Sequence, residues 1–406
     1  MDHLVRVEKL ILLILLIVVF DIHGQQKYPQ APEVWSKPEK IDAIFNWAGS
    51  VAGLTVRADG KKIYFGGGGI VSTELSDTGW TQPQRLGNQI NINNFVTDPC
   101  ISPSGKRLFF TWMYGSVWQL YYSDWDETKQ DWGAAKYTGK EINESEIEGL
   151  YSIDGCSALN DTTIVFLRSG TAFISDWDRT KKSWTNVRGF PITGLYFYAP
   201  WGIYVSPSKH KVYQTATQKD TSIGKTYFKE DLAVMYERPS MPLGYSLFGI
   251  LNISYQADTL YFNGEYQDRF QAYPALTADG KTLYFVANYH GHRTVYVSHM
   301  LIDENGIPVS VNYESPVLPS NFILYSPYPN PFNPSTTIEY ELNRESKISL
   351  VVYDTLGQQV KELVNSIQQA GKHKTIFNAT GLPSGVYLVV LNTPFGFTVK
   401  KVTYLK

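Results

Sequence analysis

Three tryptophans, Trp80, Trp132 and Trp184, stand 52 residues apart, and their surroundings repeat with them. Ser123-Asp124-Trp125-Asp126 leads to Trp132 as Ser175-Asp176-Trp177-Asp178 leads to Trp184. Leu86-Gly87-Asn88-Gln89-Ile90-Asn91 returns as Thr138-Gly139-Lys140-Glu141-Ile142-Asn143. A period kept by several features at once means tandem units, each too small to bury its own apolar face. A second marker is a turn followed by a short apolar run. It reads Ala58-Asp59-Gly60-Lys61-Lys62-Ile63-Tyr64-Phe65, then Ser102-Pro103-Ser104-Gly105-Lys106-Arg107-Leu108-Phe109-Phe110, and again Ala278-Asp279-Gly280-Lys281-Thr282-Leu283-Tyr284-Phe285. Weaker copies end at Phe166, Tyr213 and Phe262. Asp-Gly supplies a positive φ at little strain, and the aromatic or β-branched run after it pairs as a strand.

Units of about 40–50 residues with roughly four short strands each predict an all-β chain built as a β-propeller. Closing the units into a ring covers both faces of every sheet and protects the edges. Steps between the terminal aromatics are 45, 56, 47, 49 and 23. The short last step leaves five or six blades, and six are favoured, with residues 30–50 supplying a closing strand. The Ser-Pro-Ser-Gly-Lys and Ala-Asp-Gly-Lys turns, with the Leu-Phe-Phe and Leu-Tyr-Phe runs after them, resemble the WD40-like repeats called PD40 of TolB-type propellers. That resemblance covers residues 40–310 and speaks to fold, since propellers host binding, scaffolding and hydrolysis alike.

Prolines then crowd the chain at Pro316, Pro319 and Pro327, so 311–327 reads as a stiff linker. Beyond it, Thr337-Ile338-Glu339-Tyr340-Glu341-Leu342 alternates as a half-buried strand does. Short strands and Gly/Pro turns over about 80 residues suggest a small Ig-like β-sandwich. The order of motifs is Pro329-Asn330-Pro331-Phe332-Asn333-Pro334, then Val352-Tyr353-Asp354-Thr355-Leu356-Gly357, then Leu382-Pro383-Ser384-Gly385-Val386-Tyr387, then a basic last strand to Lys406. It resembles the type A C-terminal sorting domain of the type IX secretion system, over residues 328–406. The resemblance implies delivery through the periplasm to the outer-membrane translocon as partner, followed by release or attachment at the cell surface. On this reading a chain cut at Pro327 keeps a folded propeller but stays in the periplasm.

Residues 1–24 fit a secretory leader: Arg6 and Lys9 precede an apolar run from Leu10 to Phe20. Eleven such residues suit a leader, whereas a membrane span needs about 20. No other segment is apolar enough to span, and residues 25–39 form an N-terminal segment. Net charge is −2 with no stripe of Lys or Arg, which excludes nucleic acid as the expected partner. The 28 Tyr, 20 Phe and 10 Trp suit all-β cores and also surfaces that stack on sugars.

Twelve residues before the terminal aromatics of five units stand Gly53, Asp98, Asp154, Trp201 and Tyr273. These positions should ring one mouth of the channel, where two acids with Trp201 and Tyr273 could hold a sugar or a cation. Turn capping and core packing explain the same residues. Cys100 and Cys156 lie ten before Phe110 and Phe166, at what reads as one level of neighbouring blades. A disulfide, two buried thiols and half a metal site all remain open. His290 and His292 flank Gly291 in an expected hairpin turn. Ser76-Asp77-Thr78-Gly79 reads as a turn between outer strands. Glu265 and Asp268 form a carboxylate pair only by proximity. With no phosphate loop, no nucleophile elbow and no metalloprotease motif, neither catalytic residues, metal nor cofactor is assigned. The function expected is a non-catalytic glycan- or protein-binding propeller, with a glycan-active hydrolase or lyase, or a surface scaffold, as alternatives.

Overall fold

The computed structural model describes, before residue 30, only 19–20 and 26–27. From residue 30 onward it describes all but 37, 48–50, 78, 145–152, 194–201, 209, 221–226, 238–244, 253–260, 263–264, 267–269, 289–291, 305–308, 310, 313–321, 356–357 and 394–395. The expected leader therefore falls largely outside the described residues. Among those described, no helix is long and apolar enough to cross a membrane.

Five antiparallel units follow one another. Blade 1 is Ala52–Val56, Lys62–Gly66 and Ile70–Ser76; blade 2 is Val96–Ile101, Arg107–Tyr114 and Val117–Asp126, each with short outer strands. Blade 3 is Ile153–Asn160, Thr163–Arg168, Thr171–Asp178 and Ser183–Gly189. Blade 4 is Ile203–Val205, Lys211–Asp220, Tyr227–Glu237 and Tyr245–Asn252; blade 5 is Gln271–Leu276, Thr282–Ala287 and Thr294–Ile302. The first strand of each blade packs beside the first strand of the next, and blade 5 returns to blade 1. The ring is a β-propeller with five inner strands among the described residues. Of the sixth unit expected at Phe262, the described residues show Tyr261–Phe262 paired with Glu265–Tyr266, and the residues around them lie outside the described ones.

The turns form as their sequences dictate. Gly60 (φ 72°) and Gly280 (φ 69°) take the left-handed position, and Asp59 and Asp279 each accept the N–H two residues on, at 3.0 and 3.1 Å. The 52-residue period has a packing cause. Each repeated tryptophan leans edge-on against the second strand of the preceding blade: Trp80 on Tyr284 at 6.2 Å, Trp132 on Tyr64 at 6.1 Å, Trp184 on Phe109 at 5.4 Å. The repeated asparagines do a second job. Asn91 bonds both backbone groups of Ile70, and Asn143 both of Leu120, which satisfies a buried stretch of the third strand where its edge partner ends.

The ring closes through the N-terminal segment. Gln30–Trp35 lies parallel to Tyr245–Asn252 of blade 4 and antiparallel to Thr294–Ile302 of blade 5, so the two blades join in one 10-stranded sheet. Glu33 of this strand is fully buried. It accepts hydrogen bonds from Lys211 (2.7 Å), Tyr236 (2.7 Å), Tyr213 and the Trp35 indole (3.2 Å).

The C-terminal part is a sandwich of a five-stranded and a three-stranded sheet. Thr336, Ile338, Tyr340 and Leu342 point inward in strict alternation. Val311–Asn312 and Phe322–Leu324, from the stretch expected to be linker, pair as strands of its two sheets. The outer face of the larger sheet is apolar as well. Val351, Tyr353, Leu388, Val390, Phe397 and Val399 share one core with Trp35, Phe285 and Met300 of the propeller. Phe397 lies 4.4 Å from the His299 ring, and Asn392 bonds Glu39 at 2.9 Å. A cleft of about 540 Å³ beside this contact is lined by Trp80, Tyr284, Tyr353, Glu39, Asn365 and Asn392.

Candidate functional site

Each inner strand enters the channel through one residue in the left-handed region: Gly53 (φ 68°), Asp98 (47°), Gly155 (101°), Gly202 (80°) and Tyr273 (55°). The ladder shifts register at this point in blades 1, 2, 3 and 5, as a bulge requires. The five residues surround one cavity of about 20 Å³. The strands approach so closely that a Cβ on Gly53 would stand 2.6 Å from the Asp98 Cα. Below them a second cavity of about 40 Å³ continues along the axis, so the channel is nearly filled.

Sequence spacing finds Gly53, Asp98 and Tyr273 at this ring but is one residue early in blade 3, where Gly155 replaces Asp154. The reason is register. Leu54 faces Phe65, Cys156 faces Phe166 and Ile203 faces Gln214. In blades 2 and 5 the residues that face Phe109 and Tyr284 are Cys100 and Ala275, so Pro99 and Pro274 are the counterparts of Leu54. Blade 3 is thus one residue tighter, and in blade 4 the framework position belongs to Gln214 rather than Tyr213. Trp201 lies outside the described residues, as do His290, Asp268 and Gly357. His292 is exposed and touches the Phe45 carbonyl at 3.4 Å. At the turn expected there, the Ser76 hydroxyl donates to the Gly79 carbonyl at 2.7 Å, and Thr78 lies outside the described residues.

The Asp154 charge still reaches Asp98. Burial pushes the Asp98 carboxyl up to about 6. The Thr111 hydroxyl, donating at 2.9 Å, works against this, and the Asp154 charge adds to it. Burial raises Asp154 to about 6 as well, opposed by the Gly170 N–H. The Tyr273 hydroxyl, itself pushed well up by burial, feels Asp98, Arg293, Glu230 and Asp154. Three acids, an arginine and a tyrosine therefore share one electrostatic neighbourhood at this end of the channel.

Both carboxyls bind protons more tightly folded than unfolded, so their charging opposes folding as pH rises from about 4 to about 6. Asp98→Asn is expected to raise stability at pH 7 by ~1–3 kcal/mol and to leave it unchanged near pH 3.5. Asn accepts the left-handed backbone as Asp does. The check is the urea midpoint of variant and parent across that range. The comparison must be made at each pH, because His299, held near 4 by burial, contributes with the opposite sign between about 4 and 6.5.

One device was not foreseen. The Thr55 hydroxyl accepts the Ile101 N–H at 3.2 Å, the Cys100 thiol accepts the Ala158 N–H at 3.1 Å, and the Ser157 hydroxyl accepts the Val205 N–H at 2.9 Å. Thr55, Cys100 and Ser157 occupy one framework position, and each ties its blade to the next. Cys100 and Cys156 are free thiols in this structure, and they are not at one level: Cys156 corresponds to Pro99.

In the sandwich the motif residues converge. Phe332 is buried against Phe377 and Tyr404, and its N–H and C=O bond Thr403 and Leu405. Asn330 bonds the Lys401 carbonyl and the Thr403 N–H. Pro329 and Pro334 accept from Thr336 and Ala379, Tyr387 donates to Pro383 at 2.7 Å, and Lys406 donates to Ser384. Gly385 begins the strand beside Tyr404. The Pro329-Asn330-Pro331-Phe332-Asn333-Pro334 loop thus zips the start of the domain to its last strand.

Residues 326–404 match the secretion system C-terminal sorting domain. No curated protein matches the chain. Among solved structures it is similar to the xyloglucan PUL GH43B protein of Bacteroides ovatus, at 12% identity and TM-score 0.40 over 90% of this chain and 92% of that one. It is also similar to TolB from Acinetobacter baumannii, at 14% and 0.30 over 80% and 65%, and to the RRP9 WD40 repeats, at 10% and 0.36 over 66% and 99%. Likenesses of this depth carry no argument about activity. The sorting domain marks the chain for type IX secretion, to the cell surface or the medium.

Proposed function

We propose that the exported propeller is a glycan-binding module, and that the ligand docks on the channel mouth around Asp98, Asp154 and Tyr273. The observation that carries this reading is Asp98 beside Tyr273 where the five inner strands meet, with Asp154 one residue off the ring and near enough for its charge to raise the Asp98 carboxyl. Such tuning is a mark of functional sites because it is maintained against stability. Carboxylates accept paired sugar hydroxyls. The cavities beneath are far below the several hundred Å³ of an engulfing pocket, so recognition is of a ligand resting on the mouth.

A second reading is favoured by the same acids: hydrolysis or lysis of the glycan, with a raised carboxyl as general acid. One experiment separates the two. The mature chain is exposed to a panel of glycans, with product analysis on every hit and with an Asp98→Asn/Asp154→Asn variant alongside. Retention of intact glycan, weakened at least ~10-fold in the variant, is expected. Shortened products would move the assignment to the enzyme. Absence of any binding, or binding indifferent to both substitutions, would overturn the mouth as the site.

A further inference from the structure

The two cysteines face each other across the seam between blades 2 and 3. Cys100 sends its sulfur forward to the Ala158 N–H of blade 3, at 3.1 Å. Cys156 lies two residues before Ala158, on the same face of that strand, and its thiol is close enough to that of Cys100 to feel it. Both are buried in one apolar cluster and line the same small cavity on the axis. Register explains the meeting. Ser157, the true counterpart of Cys100, points forward to blade 4. A one-residue step in a strand reverses the side chain, so Cys156 points back. Had the two cysteines stood at one framework position, both would point forward and could not meet.

The sorting domain delivers this chain to an oxidising compartment, where paired thiols become disulfides. We propose that Cys100 and Cys156 are a site of oxidative modification, joined in the exported protein as a disulfide that staples blade 2 to blade 3. The oxidant is a disulfide-carrying thiol oxidoreductase or a small-molecule disulfide. One cysteine thiolate attacks a carrier sulfur and forms a mixed disulfide; the other then displaces the carrier thiolate. Two S–H bonds are lost, one S–S bond forms, and the carrier disulfide is reduced by two electrons and takes two protons.

The test uses the full chain collected after export and kept free of reductant. It is denatured with an alkylating agent, and its intact mass is recorded. The expected result is no alkylation and a mass two hydrogens below the reduced chain, with both cysteines alkylated once reductant is added. Two alkylated cysteines without reductant would overturn the proposal. Reduction is expected to lower the unfolding midpoint of the exported chain by ~5 °C or more. Cys156→Ser, which leaves Cys100 in place to accept from Ala158, is expected to show no response to reductant. A parent midpoint that ignores reductant would also overturn the staple.

Discussion

A chain ending at Pro327 is expected to be lost from the surface and the medium, to accumulate in the periplasm, and to be markedly less stable there. The first effect follows from removal of the matched domain, residues 326–404. The second follows from packing. Six apolar side chains of the sandwich, including Tyr353 and Phe397, complete a core whose other half is Trp35, Phe285 and Met300. Burying such side chains is worth about 1.5–3 kcal/mol each, shared between the two surfaces. Losing several is comparable with a total stability of ~5–15 kcal/mol. Sequence reasoning expected an independent propeller, because a proline-rich stretch reads as a spacer. The structure instead seats the sandwich on the seam where the ring closes. Cell fractionation reads the first effect, and urea midpoints of the truncated and full chains read the second. Normal delivery of the truncated chain would refute the sorting assignment; equal midpoints would refute the shared core.

Replacing Glu33 by Ala is expected to destabilise the propeller by ~3–5 kcal/mol, because it leaves Lys211 and two tyrosine hydroxyls without their shared buried acceptor. Lys211 keeps Glu304 at 2.7 Å, which sets the loss toward the lower end. Glu33→Gln preserves acceptor capacity for the hydroxyls and removes only the charge, so ~1–3 kcal/mol is expected. Differential calorimetry of the three proteins gives the order parent, Gln, Ala. Hydrogen exchange should place the loosening at Gln30–Trp35 and at the flanking strands of blades 4 and 5. Uniform loosening across blades 1 to 3 would show that Glu33 does not govern closure.

The repeat phrases were legible because each names a contact. A tryptophan that wedges against the previous blade, or an asparagine that satisfies a bare strand, must recur at the structural period. The sorting motifs were legible because the Pro329–Pro334 loop and the last strand bind one another. What could not be read was anything that turns on a single residue of register. Tyr213 resembles the closing aromatic of its unit, yet Gln214 holds the framework position, and the tighter entry of blade 3 moved Gly155 into the place assigned to Asp154. Glu33 was overlooked for another reason. An acidic residue in a short N-terminal segment carries no local sign that Lys211, Tyr213 and Tyr236 from distant strands will surround it.

Pairing of Trp35 with Met300 is also expected to come late in assembly. The strand made among the first is placed among the last, for its two neighbours come from blades 4 and 5. Every intermediate before that is an open arc with unsatisfied edges. Contacts between such remote parts of a chain slow folding, since loop-closure entropy must be overcome before they form. Closure of the ring is therefore expected only once the chain up to Met300 is available to pair with Trp35.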